Sequence, residues 1–274
     1  MSYKGIALYN EDCIAGMKKH LEDDSIDIVV TSPPYNIGVK YNSYDDKIPR
    51  CDYLKWLEKW GREIGRVLKD DGSLFLNVGS RPTEPEGPLQ VQEKLSRIFK
   101  LQNVIHWVKS IYIETASYGD KLNINVGHYK PINSRRFLND THEYIFHFTK
   151  TGKVALDRLA LGVPYKDKSN IERWSAGKER LRCRGNCWFI PYETIQERQS
   201  DRPHPASFPP QLAENCIRLH GVKGNPVVLD PFMGIGHTGL ACRKLKVGFV
   251  GFEIDEEYYK IAKKKLSAPA RQRA

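Results

Sequence analysis

The feature that most constrains the fold is a strand, glycine turn and helix pattern near the C-terminus. Residues 225–230 form an apolar run that indicates a short buried strand, and residues 240–245 have helical spacing. Between them Gly234, Gly236 and Gly239 satisfy G-x-G-x-x-G in the strand-to-helix context of a nucleotide-binding βαβ unit. The pattern therefore predicts an α/β fold with a nucleotide site at this turn.

A second strand with an acidic tip completes this unit. Residues 247–252 are predicted to form a strand that ends at Glu253, where an acid can hydrogen-bond ribose hydroxyls. After it we find mostly one basic amphipathic helix, over residues 256–266, and no second mononucleotide half. We therefore expect upstream strands to complete the sheet, and a nicotinamide or flavin dinucleotide site is disfavoured.

The N-terminal segment supplies a matching acid. Residues 6–9 are predicted to form a strand, Asp12 and Cys13 follow it, and a helical pattern then extends to Leu21. Asp12 and Glu253 would lie on neighbouring strand ends, where they suit the adenine amino group and the ribose of one nucleoside. A ligand such as S-adenosylmethionine fits this pair of acids better than a dinucleotide.

The tetrapeptide Ser32-Pro33-Pro34-Tyr35 follows the apolar run of residues 26–31. Two consecutive prolines fix φ and remove two backbone donors, so regular structure ends and the carbonyls stay available as acceptors. A hydroxyl before this turn and an aromatic ring after it suit an amino group and the nucleobase that carries it. A proline-stiffened loop with a surface tyrosine explains the same residues without a ligand.

The middle of the chain has alternating helix and strand patterns. We predict a helix over residues 53–68, a stop at residues 69–72 and a strand over residues 73–78. A helix over residues 90–100 and strands over residues 103–108 and 144–148 follow. Trp56 and Trp60 are interpreted as core residues of the first of these helices.

Together these motifs resemble those of the β-class DNA amino-methyltransferases, in which the catalytic motif precedes the cofactor motif. The matching segments are residues 10–13, 32–35, 74–79, 107–109, 142–146, 204–209 and 230–238. His237 departs from the pattern, since small or polar residues are more usual there. The resemblance covers nearly the whole chain. It implies a Rossmann-like methyltransferase fold with a mixed, mostly parallel sheet, a circularly permuted motif order and a target-recognition lobe.

The resemblance also implies roles for the motif residues. Ser32 and the Pro33 carbonyl would accept the two amine hydrogens, and Tyr35 would stack on the flipped base; the catalytic set is Ser32, Pro33, Pro34 and Tyr35. Residues 232–236 would surround the methionine part of S-adenosylmethionine, and Thr238 would bind its carboxylate. The expected cofactor set is Asp12, Cys13, Ser207, Phe208, Pro209, Asp230, Phe232, Met233, Gly234, Gly236, His237, Thr238 and Glu253.

The first residue of the catalytic motif bears on the target base. In this family Ser-Pro-Pro-Tyr is typical of the N4-cytosine enzymes and Asp-Pro-Pro-Tyr of the N6-adenine enzymes. By this resemblance Ser32 favours cytosine as the target base and leaves adenine open. An RNA methyltransferase would share the cofactor motif. A non-catalytic DNA-binding subunit would carry a damaged motif, and none is damaged here.

Charge supports a nucleic-acid partner. The formal net charge is +10 and the sequence pI is about 9.2, which favours a polyanion such as double-stranded DNA; a basic soluble surface is the ordinary alternative. Two basic segments, residues 110–139 and 156–202, interrupt the strand and helix pattern. The expected DNA contacts are Arg135, Arg136, Arg180, Arg182 and Arg184.

The motif order divides the chain into three parts. We expect a catalytic half over residues 1–155, a target-recognition region over residues 156–202 and a cofactor-binding half over residues 203–274. Cys183 and Cys187 lack a second ligand pair nearby, so no metal is expected. Without a signal peptide or an apolar spanning segment we expect a cytoplasmic, nucleoid-associated protein, monomeric or homodimeric. Its partner is either a cognate restriction endonuclease encoded nearby or none, as in a solitary methyltransferase.

Overall fold

The computed structural model describes residues 5–113, 124–127, 133–165, 181–191 and 207–268. The helices are α1 (Cys13–His20), α2 (Arg50–Val67), α3 (Gly87–Leu95), α4 (Pro210–His220), α5 (His237–Leu245) and α6 (Glu256–Ser267). The strands are β1 (Ile6–Tyr9), β2 (Ile26–Thr31), β3 (Leu68–Val78), β4 (Lys100–Val108), β5 (Ile111–Ile113), β6 (Ile124–Val126), β7 (His142–Thr149), β8 (Val163–Pro164), β9 (Leu181–Arg182), β10 (Cys187–Phe189), β11 (Val227–Asp230) and β12 (Gly248–Phe252). None of the helices in these ranges is long and apolar enough to cross a membrane.

Eight of these strands form one mixed sheet in the order β1-β12-β11-β2-β3-β7-β4-β10. Neighbouring strands are parallel except where β7 runs antiparallel to β3 and β4. The two short pairs β5-β6 and β8-β9 lie outside this sheet. The prediction of an α/β fold with a mixed, mostly parallel sheet is confirmed.

The two ends of the chain interleave in one half of the sheet. Strand β11 pairs with β2, with Leu229 opposite Val29, and β12 pairs with β1, with Phe249 opposite Ile6. Because these strands are parallel, their carboxyl ends meet at one edge of the sheet. The segments after β1, β2, β11 and β12 are therefore brought together there.

Helices cover both faces of the sheet. Val29 belongs to an apolar cluster with α1, α2 and α3, whereas Ile28 and Val30 belong to a second cluster with α4, α5 and α6. This alternation follows from the period of two along a strand. With both faces covered, β2 and β11 are buried and mostly apolar, as expected for parallel strands.

Element boundaries differ in places from the sequence prediction. Helix α2 starts at Arg50, and β3 begins at Leu68, so residues 69–72 belong to the strand and not to a separate stop. The pairing of β2 with β3 shifts register between Ile26 and Ile28, which accommodates the extra residues as an irregularity. Helix α3 ends at Leu95, earlier than predicted.

Candidate active site

A cavity opens at the carboxyl edge of the sheet. Four strand ends line it: residues 11–13 after β1, 32–35 after β2, 230–235 around the end of β11 and 253–255 after β12. The volume of the cavity, including the part that is open to solvent, is about 1060 Å³. A crevice outside the carboxyl ends of strands is the usual ligand site of an open α/β sheet.

Asp230 joins the two motifs inside this edge. Its Oδ1 accepts from Thr31 Oγ1 at 2.7 Å and from the Phe232 backbone N–H at 3.1 Å, and its Oδ2 accepts from Thr238 Oγ1 at 2.6 Å. Burial raises the pKa of this carboxyl to about 6, although the three donors oppose the shift. Asp230 therefore fixes the loop after β11 to the end of β2.

Two residues of the expected cofactor loop lie outside the cavity lining. The Thr238 hydroxyl donates to Asp230 and its side chain is fully buried; its expected contact with a cofactor carboxylate stays a prediction. Gly236 precedes α5 with φ of 86°, and a Cβ there would lie 3.2 Å from Ala262 Cβ. Gly236 thus serves the turn and the packing of α5 against α6.

Glu253 lies in the wall of the cavity at the end of β12. Its Oε2 accepts from the Gly234 backbone N–H at 2.8 Å, and its Oε1 accepts from the Asp255 backbone N–H at 2.9 Å. Burial raises the pKa of Glu253, an effect that the two backbone donors oppose. Each carboxylate oxygen keeps further lone-pair capacity for a ligand hydroxyl.

The segment after β1 contributes Asp12 and Cys13 to the lining. Asp12 Oδ1 caps α1 by accepting from the backbone N–H groups of Ile14 at 3.0 Å and Ala15 at 2.9 Å. Burial raises the pKa of the Cys13 thiol well above its usual range, so this thiol stays neutral.

The opposite wall contains Ser207, Phe208 and His237. His237 Nδ1 donates to the Phe208 carbonyl oxygen at 2.6 Å, which ties the start of α5 to this wall. Pro209 is the N-cap residue of α4 and is not part of the lining. Residues 204–206, from the same predicted segment, lie outside the described residues.

All four residues of the proline motif line the cavity. The Pro34 carbonyl accepts a 2.8 Å hydrogen bond from Tyr53 Oη, which anchors the motif to α2. Within the described ranges no group donates to the Pro33 carbonyl. Ser32 Oγ lies 2.8 Å from Tyr35 Oη.

One loop of the lining was not predicted from the sequence. Tyr41, Ser43 and Tyr44 belong to the segment between β2 and α2, and Trp56, interpreted as a core residue, lines the cavity as well. The buried carboxylate of Asp46 folds this segment by accepting from the backbone N–H groups of residues 36, 37 and 39. These residues show no regular spacing and match no motif, so the sequence carries no signal for them.

The cavity suits a ligand with both polar and apolar parts. Ser207 Oγ and Tyr44 Oη are buried in its wall with no hydrogen-bond partner in the described part of the chain. The acids Asp12 and Glu253 and the ring of Phe232 complete the lining. A nucleoside joined to an amino acid, as in S-adenosylmethionine, would satisfy these groups.

The expected DNA contacts are not part of the cavity. Arg135, Arg136, Arg182 and Arg184 are exposed, and Arg184 Nε donates to the Leu161 carbonyl at 3.2 Å. Arg180 lies outside the described residues.

Comparison with known proteins gives the same family as the motifs. A family model described as DNA methylase matches residues 26–264. The chain is 30% identical over 271 residues to the type II methyltransferase M.BglII of Bacillus subtilis, covering 95% of this chain and 68% of that protein. It is also 30% identical over 287 residues to M.SmaI of Serratia marcescens, covering 90% and 86%.

Solved structures share the fold. The PvuII DNA methyltransferase, described as cytosine-N4-specific, superposes with a TM-score of 0.70 at 18% identity and covers 99% of this chain and 89% of its own. A putative DNA modification methylase of Thermus thermophilus, TTHA0409, complexed with S-adenosylmethionine, has a TM-score of 0.60 at 24% identity, covering 95% and 93%. The chain belongs to the N4/N6 family of S-adenosylmethionine-dependent DNA methylases.

Proposed function

We propose that this chain transfers a methyl group from S-adenosylmethionine to the exocyclic N4 amine of a flipped-out cytosine in double-stranded DNA. The observation that carries the proposal is the position of residues 32–35, in the wall of the same cavity as Asp230 and Glu253. The residues assigned to the target base and those assigned to the cofactor thus lie at one edge of the sheet, as direct methyl transfer requires.

The proline motif prepares the amine. An exocyclic amine is a poor nucleophile because its lone pair is delocalised into the ring. Ser32 Oγ and the Pro33 carbonyl can each accept one amine hydrogen and so turn the lone pair out of conjugation. The Tyr53 hydrogen bond to Pro34 holds this motif in place, and the Tyr35 ring offers a stacking surface for the base.

The cofactor site is assigned to the segments after β1, β11 and β12. S-adenosylmethionine would supply an electrophilic methyl group when bound: the S–C bond breaks as the N–C bond forms, S-adenosylhomocysteine is left, and the methylated amine releases one proton to solvent. Glu253 would accept the ribose hydroxyls, Asp12 the adenine amino group, and residues 232–234 would surround the methionine part. The Thr238 hydroxyl already donates a hydrogen bond to Asp230. The Ser207 and Tyr44 hydroxyls, which have no hydrogen-bond partner among the described residues, are therefore better placed than Thr238 to bind polar groups of the cofactor.

Cytosine is preferred to adenine because the motif begins with Ser32 and not with aspartate. The PvuII enzyme has the same fold and is described as cytosine-N4-specific, but at 18% identity that likeness concerns the fold alone. The same two acceptors could orient the N6 amine of adenine, so adenine-N6 transfer is the second candidate.

Binding of the duplex is assigned to the basic segments. We propose residues 1–155 as the catalytic half, 156–202 as the target-recognition region and 203–274 as the cofactor-binding half, with Arg135, Arg136, Arg180, Arg182 and Arg184 contacting phosphates or base edges. A restriction endonuclease encoded nearby would be the functional partner of such an enzyme.

Nucleoside mass spectrometry tests the proposal. DNA from a methylation-free host that expresses this chain should contain N4-methylcytosine, and DNA from a host expressing Ser32→Ala should not. A digest containing only N6-methyladenine would reject the cytosine assignment, and methyl transfer to RNA but not to DNA would reject the substrate class.

A further inference from the structure

Behind the proline motif, five side chains form a continuous polar chain. Ser32 Oγ lies 2.8 Å from Tyr35 Oη, and Tyr35 Oη donates to Glu143 Oε2 at 3.0 Å. Asn77 Nδ2 donates to Tyr35 Oη at 2.5 Å and to Glu143 Oε2 at 2.6 Å. Lys109 Nζ donates to Glu143 Oε1 at 2.9 Å. The cavity wall is thus connected to an ion pair behind it.

The antiparallel direction of β7 makes this arrangement possible. Its first residues lie at the edge where the parallel strands end, with Glu143 opposite Trp107 of β4. Gly79, just after β3, leaves room for the contact: a Cβ there would lie 2.9 Å from Tyr35 Cε2 and 3.1 Å from Glu143 Cδ. The tyrosine ring and the carboxylate are therefore packed closely against the backbone.

Glu143 is an acceptor only. Its side chain is 11% exposed and that of Lys109 is 17% exposed, so the pair is largely shielded from water. Burial alone would raise the pKa of Glu143, but Lys109 and the Asn77 and Tyr35 donors outweigh it and lower the pKa. An ionised carboxylate has no proton to donate.

Counting the protons available to these five side chains fixes the direction of each hydrogen bond between them. The single hydroxyl proton of Tyr35 goes to Glu143, and Asn77 donates to the tyrosine oxygen. Reversing the Asn77 amide would place its oxygen 2.6 Å from a carboxylate oxygen, so the nitrogen faces Glu143. At the remaining contact Ser32 must therefore donate to Tyr35.

We propose that Glu143 and Lys109 are positioning residues that act through Tyr35 to turn the Ser32 hydroxyl proton away from the cavity. The lone pairs of Ser32 are then presented to the target amine as acceptors. This inference rests on the proposed role of Ser32, and it holds for either the cytosine or the adenine amine. Without the ionised carboxylate, Tyr35 can donate to Ser32, whose proton then opposes the amine hydrogens.

Other titratable groups near Glu143 must be separated from it in any test. Asp140 and His142 lie close to it in sequence and interact with it electrostatically, and His142 contacts His106 of β4. Lys109 follows β4, Asn77 is on β3 and Tyr35 follows β2. The double variant Lys109→Met/Glu143→Gln lacks the Glu143 carboxyl. Any pH dependence of the transfer rate that Asp140 and His142 cause would therefore remain in it, whereas the part caused by Glu143 would be lost.

The test compares single-turnover methyl transfer from tritiated S-adenosylmethionine to genomic DNA of a methylation-free host, from about pH 6 to about pH 9. In Lys109→Met the buried carboxyl loses its cation and becomes protonated at higher pH. We expect the variant to be at least about tenfold slower than wild type near pH 6. The ratio of the variant rate to the wild-type rate should rise toward one as pH rises. Lys109→Met/Glu143→Gln should show a ratio that does not change with pH, because the glutamine side chain does not titrate.

Controls separate positioning from structural loss. The dissociation constant for S-adenosylmethionine should match wild type in every variant, and Lys55→Met, which removes an exposed cation paired with Asp52, should show a ratio to wild type that is constant with pH. A pH-independent ratio for Lys109→Met, or a recovery that persists in the double variant, would overturn the proposal. If wild type forms N6-methyladenine, the cytosine assignment fails and the rate comparison still applies.

A second variant covers the case in which Lys109→Met does not fold. Tyr35→Phe keeps the ring and removes the hydroxyl that links Ser32 to Glu143. We expect at least about a tenfold lower transfer rate at unchanged cofactor affinity. A full rate in Tyr35→Phe would show that Ser32 needs no such link.

Discussion

The carboxylate of Glu253 accepts a 2.8 Å hydrogen bond from the backbone N–H of Gly234, so the acid that ends β12 holds the loop that follows β11. Its other oxygen accepts from the Asp255 backbone, at the start of α6. One side chain thus shapes two segments of the cavity wall and stays within reach of a ligand.

Replacing Glu253 should therefore weaken cofactor binding. Glu253→Ala removes a charged acceptor and frees the Gly234 loop, which should cost about 1.5–3 kcal/mol, or roughly ten- to 150-fold in affinity. Calorimetry with S-adenosylmethionine measures this. Glu256→Ala, at an exposed glutamate of α6, is the matched control and should bind normally. Equal affinity in both variants would contradict the assignment.

Replacing Asp230 should reduce stability as well as binding. Asp230→Ala leaves the Thr31 and Thr238 hydroxyls and the Phe232 N–H without their acceptor inside the sheet edge. We expect a loss of at least about 2 kcal/mol in the free energy of unfolding, since each unsatisfied buried group costs about 1–3 kcal/mol. Urea titration checks this, and Asp230→Asn, which keeps one acceptor, should lose less.

Chemistry and cofactor binding should separate at the proline motif. Ser32→Ala removes the hydroxyl acceptor and Tyr35→Ala the stacking ring, so both should strongly reduce methyl transfer. The cofactor dissociation constant should stay near that of wild type, because these groups are assigned to the base and not to the cofactor. Rapid-quench assays and calorimetry on the same preparations decide this; full transfer in either variant would refute the base pocket.

The basic segment should control the salt dependence of DNA binding. Reversing the charge at Arg180, Arg182 and Arg184 should weaken binding and reduce the slope of log affinity against log salt by roughly 0.9 for each lost phosphate contact. The control is Arg97→Glu on the exposed surface near α3, where no DNA contact is proposed. If both proteins retain the wild-type slope, the segment does not contact DNA.

Acid should destabilise the fold through a buried histidine. His147 Nε2 lies 3.0 Å from Ser73 Oγ, which also contacts His220 Nδ1 at 2.9 Å, and Asn103 Nδ2 lies 2.9 Å from His147 Nδ1. Burial lowers the pKa of His147 from 6.5 to about 3. Between these values the unfolded chain binds a proton that the folded chain does not, so stability falls as pH falls below 6.5.

The size of this effect follows from linkage. His147 alone should remove about 1.4 kcal/mol between roughly pH 7.5 and pH 5.5. Urea titration at the two pH values measures the loss. His147→Gln should show a smaller difference between them, and an unchanged difference would show that other groups cause the acid sensitivity.

The sequence predicted the parts of the fold that depend on local patterns. The strand, glycine turn and helix around Gly234 and Gly236 are encoded within a few residues, and the acid at Glu253 follows from the same unit. Helix α6 was placed almost to the residue, because its apolar spacing and the Asp255 cap are both local. The strand over residues 69–72 was missed, since it depends on the irregular pairing with β2.

The parts that escaped prediction depend on contacts between distant segments. The hydrogen bonds that Thr31 and Thr238 donate to Asp230 were not predicted, since Thr31 comes from the other half of the chain. The connection from Tyr35 to Glu143 crosses 108 residues and depends on β7 running backwards. No periodicity in a single segment carries that information.

The interleaving of β1, β2, β11 and β12 has a consequence for biosynthesis. In the described sheet β1 pairs only with β12, and β2 completes its pairing only with β11. While a ribosome makes the chain from the N-terminus, the unpaired backbone N–H and C=O groups along β1 and β2 emerge long before their partners. Contacts of such high sequence separation form late and slowly, so the nascent protein exposes an unpaired strand edge until residues 248–252 have been translated.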